Sequence, residues 1–90
     1  MSNDQASMAL EDLRARFSAI KDTFQNTPNT IFKLGVGPIV NPALLELIPP
    51  LEDLIYSAMY MSEFDDDDYA NLASEILELI NIITIVLRYL

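Results

Sequence analysis

The chain contains no cysteine and no histidine, and these two absences exclude several classes of function. Without cysteine there is no disulfide framework, and without both residues a structural zinc site is not expected. The commonest general base and the thiol nucleophile are also missing. A chain of 90 residues seldom provides the concave pocket that a catalytic pair of carboxylates needs. The sequence therefore predicts a protein that is not an enzyme and binds no cofactor and no metal.

Glycine and proline are also few, at two and five residues, whereas 51% of the chain is hydrophobic. This composition is not that of a disordered protein, and the length predicts one domain over residues 1–90. A domain of this size buries only about 60–65% of the surface that its unfolded chain exposes. With disulfides and zinc excluded, close helix packing and self-association are the remaining sources of stability.

Basic residues are scarce: five stand against 14 acids, for a net charge of −9. From Leu34 to Leu87 there is no basic residue at all. A field of one negative sign attracts basic proteins and repels nucleic acid and anionic lipid. We therefore expect a basic protein partner, no direct binding of nucleic acid and no membrane association.

The N-terminus lacks the features of a secretory signal. Asp4 lies where a signal peptide has basic residues, and no apolar stretch follows it. Together with the absence of cysteine, this predicts a cytoplasmic protein.

The first segment, from Ser2 to Asn26, is predicted to be an amphipathic helix. Its apolar residues recur at alternating intervals of three and four, which places them on one face. Ser2 with Gln5 could form a capping box, and Asp12 lies one turn before Arg16 as a helix-stabilising ion pair. The residues of the apolar face are Leu10, Leu13, Phe17, Ile20 and Phe24.

The segment from Thr27 to Val40 is a long apolar connector. Pro28, Gly35 and Pro38 break any long helix. A turn of helix ending at Gly35, or a short extended segment over the core, would fit this composition. We expect it to cover the core, and a docking site is the alternative. Its apolar residues are Ile31, Phe32, Leu34, Val36, Ile39 and Val40.

A short helix is predicted to start at Asn41-Pro42, with Asn41 as its N-cap. Pro49-Pro50 should end it, because a proline disfavours the helical conformation of the preceding residue, so that Ile48 and Pro49 lie outside the helical region. The next helix should begin at Pro50, with Glu52 and Asp53 in its first turn. Tyr56 and Tyr60 are expected on its exposed flank, and its buried stripe comprises Leu51, Leu54, Ile55, Ala58, Met59 and Met61.

The last segment, from Tyr69 to Leu90, is predicted to be a helix that is apolar nearly all round in its second half. Ile80–Leu87 is rich in β-branched residues, so a strand is the alternative there. A membrane anchor is not expected, because Glu78, Asn81 and Arg88 interrupt the apolar run. The 3-4 spacing that favours a helix is carried by Tyr69, Leu72, Ile76, Leu79, Ile83, Val86 and Leu90.

These segments predict an all-α fold, a small bundle of three main helices plus one short helix with a long apolar connector. The alternative is an α+β fold with Ile80–Leu87 as a strand. A small bundle covers each helix on little more than one face, so we expect self-association, as a dimer, through the uncovered residues of the last helix. Burial within the monomer and a groove supplied by a partner are the alternatives. The uncovered residues are Ile82, Ile85, Val86 and Tyr89.

The sequence predicts a non-enzymatic protein-binding domain that self-associates through its C-terminal helix and presents an acidic face to a basic partner. Four consecutive aspartates, Asp65–Asp68, precede the last helix and could cap that helix alone or also bind the partner. One alternative is a nucleic-acid-mimicking inhibitor of a DNA- or RNA-binding protein, of the phage or immunity type. Another is a structural assembly subunit or small acidic chaperone. The predicted partner-binding residues are Glu52, Asp53, Tyr56, Tyr60, Glu63, Asp65, Asp66, Asp67 and Asp68.

Overall fold

The computed structural model describes residues 3–64 and 67–89, with side chains from residue 9 onward. It contains three helices, α1 (Asn3–Asn26), α2 (Ile48–Ser62) and α3 (Asp67–Tyr89), and a short 3-10 helix at Pro42–Leu47. Two antiparallel strands, β1 (Thr30–Lys33) and β2 (Gly37–Val40), form a hairpin between α1 and the 3-10 helix. The predicted helices are confirmed, whereas the fold is not purely α because of this hairpin.

Helix α1 buries the predicted apolar face. Leu10, Leu13 and Phe17 lie in the core, and Ile20 and Phe24 pack against its edge. On the exposed side, Arg16 Nε lies 3.1 Å from Asp12 Oδ2, as the i, i+4 spacing predicts. The predicted capping box lies outside the described residues, because Ser2 is not among them.

Helix α3 crosses the whole β-branched stretch, so the strand alternative at Ile80–Leu87 is wrong. One face of α3 buries five side chains in the core, an arrangement that a two-residue period would destroy. The hydroxyl of Thr84 donates to the carbonyl oxygen of Ile80 at 2.8 Å and is thereby satisfied within the helix. The buried residues are Tyr69, Leu72, Ile76, Leu79 and Ile83; Leu90 lies outside the described residues.

Helix α2 begins two residues earlier than predicted, at Ile48. Ile48 has φ −67° and ψ −52°, inside the helical region and not outside it. Pro49 and Pro50 fall in the first turn, where a backbone N–H has no partner within the helix, so both prolines are tolerated. The 3-10 helix therefore runs directly into α2, and no acid lies in the first turn of α2.

The buried stripe of α2 is narrower than predicted. Leu51, Leu54 and Ala58 are buried, and Ile55 and Met61 pack against the core from its edge. Met59 is 52% exposed and lies on the flank of α2, outside the buried stripe. The reason is angular: at 100° per residue Met59 lies about a quarter turn from Ala58, beyond the arc that α1 and α3 cover.

Asn41 fixes the base of the hairpin and starts the 3-10 helix. Its Oδ1 accepts from the backbone N–H of Ala43 at 3.0 Å, which confirms the predicted N-cap. Its Nδ2 donates to the carbonyl oxygen of Pro28 at 2.9 Å, and its backbone N–H donates to the carbonyl oxygen of Asn29 at 2.8 Å. One buried side chain thus joins the hairpin to the bundle.

The hairpin closes with a four-residue turn at residues 33–36. The N–H of Val36 donates to the carbonyl oxygen of Lys33 at 3.0 Å, and Gly35, with φ +82°, occupies the third position. A positive φ there is the requirement of a type II turn. The register pairs Ile31 with Ile39 and Phe32 with Pro38.

The expectation that this connector covers the core is wrong. It is extended, but Phe32 is 74%, Leu34 91% and Val36 65% exposed. The two strands pair only with each other, and of the hairpin residues only Val40, at the end of β2, packs against the core. The hairpin therefore projects from the bundle. The described chain measures 57 × 18 × 15 Å, so the hairpin extends along the long axis and not sideways.

The helices run alternately up and down. The hairpin brings the chain back to its base, so α2 returns along α1, and α3 returns along α2. Helices α1 and α3 are therefore parallel, and α3 ends at the same end of the bundle from which the hairpin projects. Leu44 of the 3-10 helix is fully buried and closes the core there.

Candidate functional site

Three exposed apolar surfaces lie outside the core. The acidic–aromatic face of α2 consists of Glu52, Asp53, Tyr56, Met59, Tyr60, Glu63 and Phe64, the last two in the turn after the helix. The α3 row consists of Ile82, Ile85 and Tyr89. The hairpin arm consists of residues 30–40.

The acidic–aromatic face points away from the core. Tyr56 and Tyr60 lie one turn apart and are 67% and 61% exposed. The ring of Phe64 lies edge-on to that of Tyr60, with centroids 5.4 Å apart and an interplanar angle of 69°. Phe64 was missed in the sequence, although its spacing of four from Tyr60 was a usable signal. The three rings follow one another at spacings of four and form an aromatic strip that is not part of the core.

The charges that α2 and the turn after it place around this strip are all negative. Glu52, Asp53 and Glu63 are exposed, and α2 contains no basic residue. The structure thus places five of the nine predicted partner-binding residues on one surface. They are Glu52, Asp53, Tyr56, Tyr60 and Glu63.

Two of the four predicted aspartates are among the described residues. Asp67 and Asp68 occupy the first turn of α3, where the positive end of the helix dipole favours anions. Asp65 and Asp66 lie outside the described residues.

The α3 row comprises three of the four residues that were predicted for self-association, and all three are exposed. Ile82 is 42%, Ile85 56% and Tyr89 73% exposed. Val86, the fourth predicted residue, packs against the core and contributes less to the surface. The same 3-4 spacing continues toward the start of the helix through Glu75 and Glu78, so one line of side chains changes from acidic to apolar along α3.

Helix α3 is long and apolar enough to cross a membrane by length and composition, and 28% of its apolar stretch is buried in the described fold. The core helix of a soluble protein satisfies the same criterion, so this property is weak evidence for a span. Here one face of α3 forms the centre of the core.

The hairpin arm is apolar on both faces. Neighbouring residues of a strand point to opposite sides, so the pair Ile31–Ile39 lies on one face and the pair Phe32–Pro38 on the other. Lys33 is the only charged residue from Thr23 to Leu45. The arm is therefore a weakly positive apolar projection on a strongly negative body.

Two shallow grooves lie between the helices. One separates α1 from α2, with Arg16 and Asp53 at its rim. The other separates α1 from α3 and is lined by Phe17, Lys21, Glu75 and Ile82, among others. Within residues 3–64 and 67–89, no three carboxylates are grouped closely enough to hold a metal ion.

No protein-family model matches the chain, and no curated protein or solved structure shows significant similarity to it.

Proposed function

We propose that this chain is a non-enzymatic protein-binding domain, which binds a basic partner on its acidic–aromatic face and self-associates through α3. The observation that carries the proposal is the exposure of Tyr56 and Tyr60 among three acids, on the side of α2 opposite the core. Neither tyrosine belongs to the core, so most of each side chain is available to a partner.

Aromatic side chains are effective anchors in interfaces. Tyrosine buries about 150–250 Å² and loses the freedom of only two side-chain torsions on binding. Methionine adds an adaptable contact, and Met59 lies beside the tyrosines on the same face. A strip of three rings plus Met59 therefore supplies the apolar centre that a specific interface needs.

The acids determine which partner fits. Glu52, Asp53 and Glu63 surround the aromatic strip without a compensating cation on α2. A partner with Arg or Lys around an apolar groove neutralises this field, and electrostatic attraction raises the association rate. An acidic partner would be repelled, which gives the face its selectivity.

The test is affinity capture with variants that separate the acidic–aromatic face from the α3 row. Immobilised wild-type chain should retain basic proteins from an extract of its own cells at 50 mM salt. The double variant Tyr56→Ala/Tyr60→Ala should lose at least 90% of that retention. The matched control is Leu45→Ala. The Leu45 side chain is 58% exposed but belongs to none of the three surfaces, so this variant should retain the same proteins.

Other outcomes would support other functions. Release of the captured protein by added DNA or RNA would indicate nucleic-acid mimicry. Capture that survives the tyrosine double variant but fails with Ile82→Asp/Ile85→Asp would support an assembly subunit. Capture that resists both changes would refute binding through either surface.

A further inference from the structure

We propose that two copies of this chain pair through their α3 rows in antiparallel orientation, and that the hairpin arm of each copy lies along the acidic first half of the other copy's α3. This inference rests on the proposed self-association and specifies its geometry. It assigns a function to the hairpin arm, which binding by α2 leaves unexplained.

The area of the α3 row requires a second contact. A stable protein interface buries about 800 Å² on each partner. The row offers three side chains that are 42%, 56% and 73% exposed. At about 150–250 Å² for a large side chain, their exposed portions sum to roughly 300 Å². The row alone is too small, and the remaining area must come from another apolar surface of the same molecule.

The sequence of charges along α3 selects the orientation. In a parallel pair, Glu75 and Glu78 of one copy would face the same residues of the other, and like charges repel. An antiparallel pair centred between Ile82 and Ile85 places Ile82 of one copy against Ile85 of the other. It also places Glu78 against Tyr89, whose hydroxyl can donate to the carboxylate. The antiparallel pair therefore removes a repulsion and adds a hydrogen bond.

The position of the hairpin arm agrees with this orientation. The arm projects along the long axis from the end of the bundle where α3 ends. Beside an antiparallel second copy, it passes the start of that copy's α3, where Asp67, Asp68 and Glu75 lie. Lys33 at the tip meets negative charge there. In a parallel pair both arms would lie together, Lys33 beside Lys33, with the acidic ends also together.

Cross-linking tests the orientation directly, because the chain contains no cysteine and every thiol is an introduced one. Glu78→Cys and Tyr89→Cys are prepared separately, mixed in equal amounts and treated with a short bis-maleimide. The antiparallel pair gives the mixed cross-linked product and little product from either variant alone. Efficient cross-linking of each variant to itself would refute the antiparallel pair while leaving self-association intact.

The contact of the hairpin arm is tested by charge reversal. Lys33→Glu should raise the dissociation constant of the dimer at least tenfold, measured by sedimentation. The second change Glu75→Lys, made in the same chain, should restore most of the lost affinity. Arg14→Glu is the matched control, since it makes the same change in net charge on exposed α1. Equal effects of Lys33→Glu and Arg14→Glu would overturn the arm contact. A wild-type chain that stays monomeric up to millimolar concentration would refute self-association itself.

Discussion

The Nδ2 atom of Asn41 lies 2.9 Å from the carbonyl oxygen of Pro28, and this hydrogen bond joins the two ends of the hairpin base. The Oδ1 atom of the same side chain accepts from Ala43 at the start of the 3-10 helix. A flexible connector would sample many directions, whereas the hydrogen bonds of Asn41, which is only 9% exposed, fix the arm relative to the core. The direction of the arm is therefore a property of the fold.

Replacing Asn41 with alanine should loosen the arm and destabilise the chain. Loss of an N-cap costs about 1 kcal/mol, and loss of the hydrogen bond to the carbonyl oxygen of Pro28 adds about 0.5–1.5 kcal/mol. Hydrogen exchange should show faster exchange for the amides of β1 and β2 than in the wild type. The control is Asn29→Ala, because Asn29 contributes only its backbone carbonyl to the base. Equal exchange in the two variants would contradict the role of the Asn41 side chain.

Gly35→Ala should weaken the hairpin without affecting the bundle. A Cβ at this position meets nothing within 4 Å, so the only penalty is the positive φ of +82°. That conformation costs an L-residue about 1–2 kcal/mol. Cross-strand nuclear Overhauser contacts should decline while the thermal midpoint of the helical signal stays constant. Gly35→Asn should retain more of these contacts, since asparagine tolerates positive φ better; equal loss in both variants would argue against the turn.

Much of the helical structure was predictable, because packing and periodicity agree there. In α3 the 3-4 spacing of Leu72, Ile76 and Leu79 dominates over the β-branched stretch, since a helix buries one face continuously. The exposure of Tyr56 and Tyr60 followed from the same angular reasoning. The orientation of surfaces on a long helix is thus predictable from sequence.

The hairpin and the proline pair were not predicted, for two different reasons. Apolar residues in a connector suggest burial, and the alternation that marks a half-buried strand is absent when both faces are apolar. The turn signal at Gly35 is short, and its partner strands have only four residues each. At Pro49 and Pro50 the local preference against helix was weaker than the continuous packing of Leu44, Leu51 and Leu54 on either side.

Leu44 and Leu45 form an adjacent pair that tests the core. Leu44 is fully buried, whereas Leu45 is 58% exposed. Leu44→Ala should lower the free energy of unfolding by about 2–5 kcal/mol, a large part of the stability of a small domain. Leu45→Ala should change it by less than about 0.5 kcal/mol. Urea titrations followed by circular dichroism measure both, and similar midpoints would contradict the burial of Leu44.

Placing aspartate at both Ile82 and Ile85 should abolish self-association and preserve the helical bundle. In the single chain Ile82 is 42% and Ile85 56% exposed, so a carboxylate at either position reaches water in the monomer and becomes fully buried only between copies. Light scattering over a concentration series should show the monomer mass for this variant and a higher mass for the wild type. Thr84→Asp is the matched control, because it adds an exposed charge on another side of α3 and should retain association. Association that persists in the double aspartate variant would place the interface elsewhere.

Salt should affect the two proposed interactions in opposite directions. Each copy carries a net charge of −9, so two copies repel each other at long range, and screening reduces that repulsion. Raising the salt from about 20 to 300 mM shortens the screening length to well under about 10 Å and should strengthen self-association. The same change should weaken binding of a basic partner to the acidic–aromatic face, because the attraction there is screened. Sedimentation of the chain alone gives the dissociation constant of self-association at each salt concentration. Titration with the captured partner gives that of the complex. A self-association that weakens as salt rises would contradict this prediction, because it would mean that attraction between opposite charges outweighs the net repulsion of the two copies.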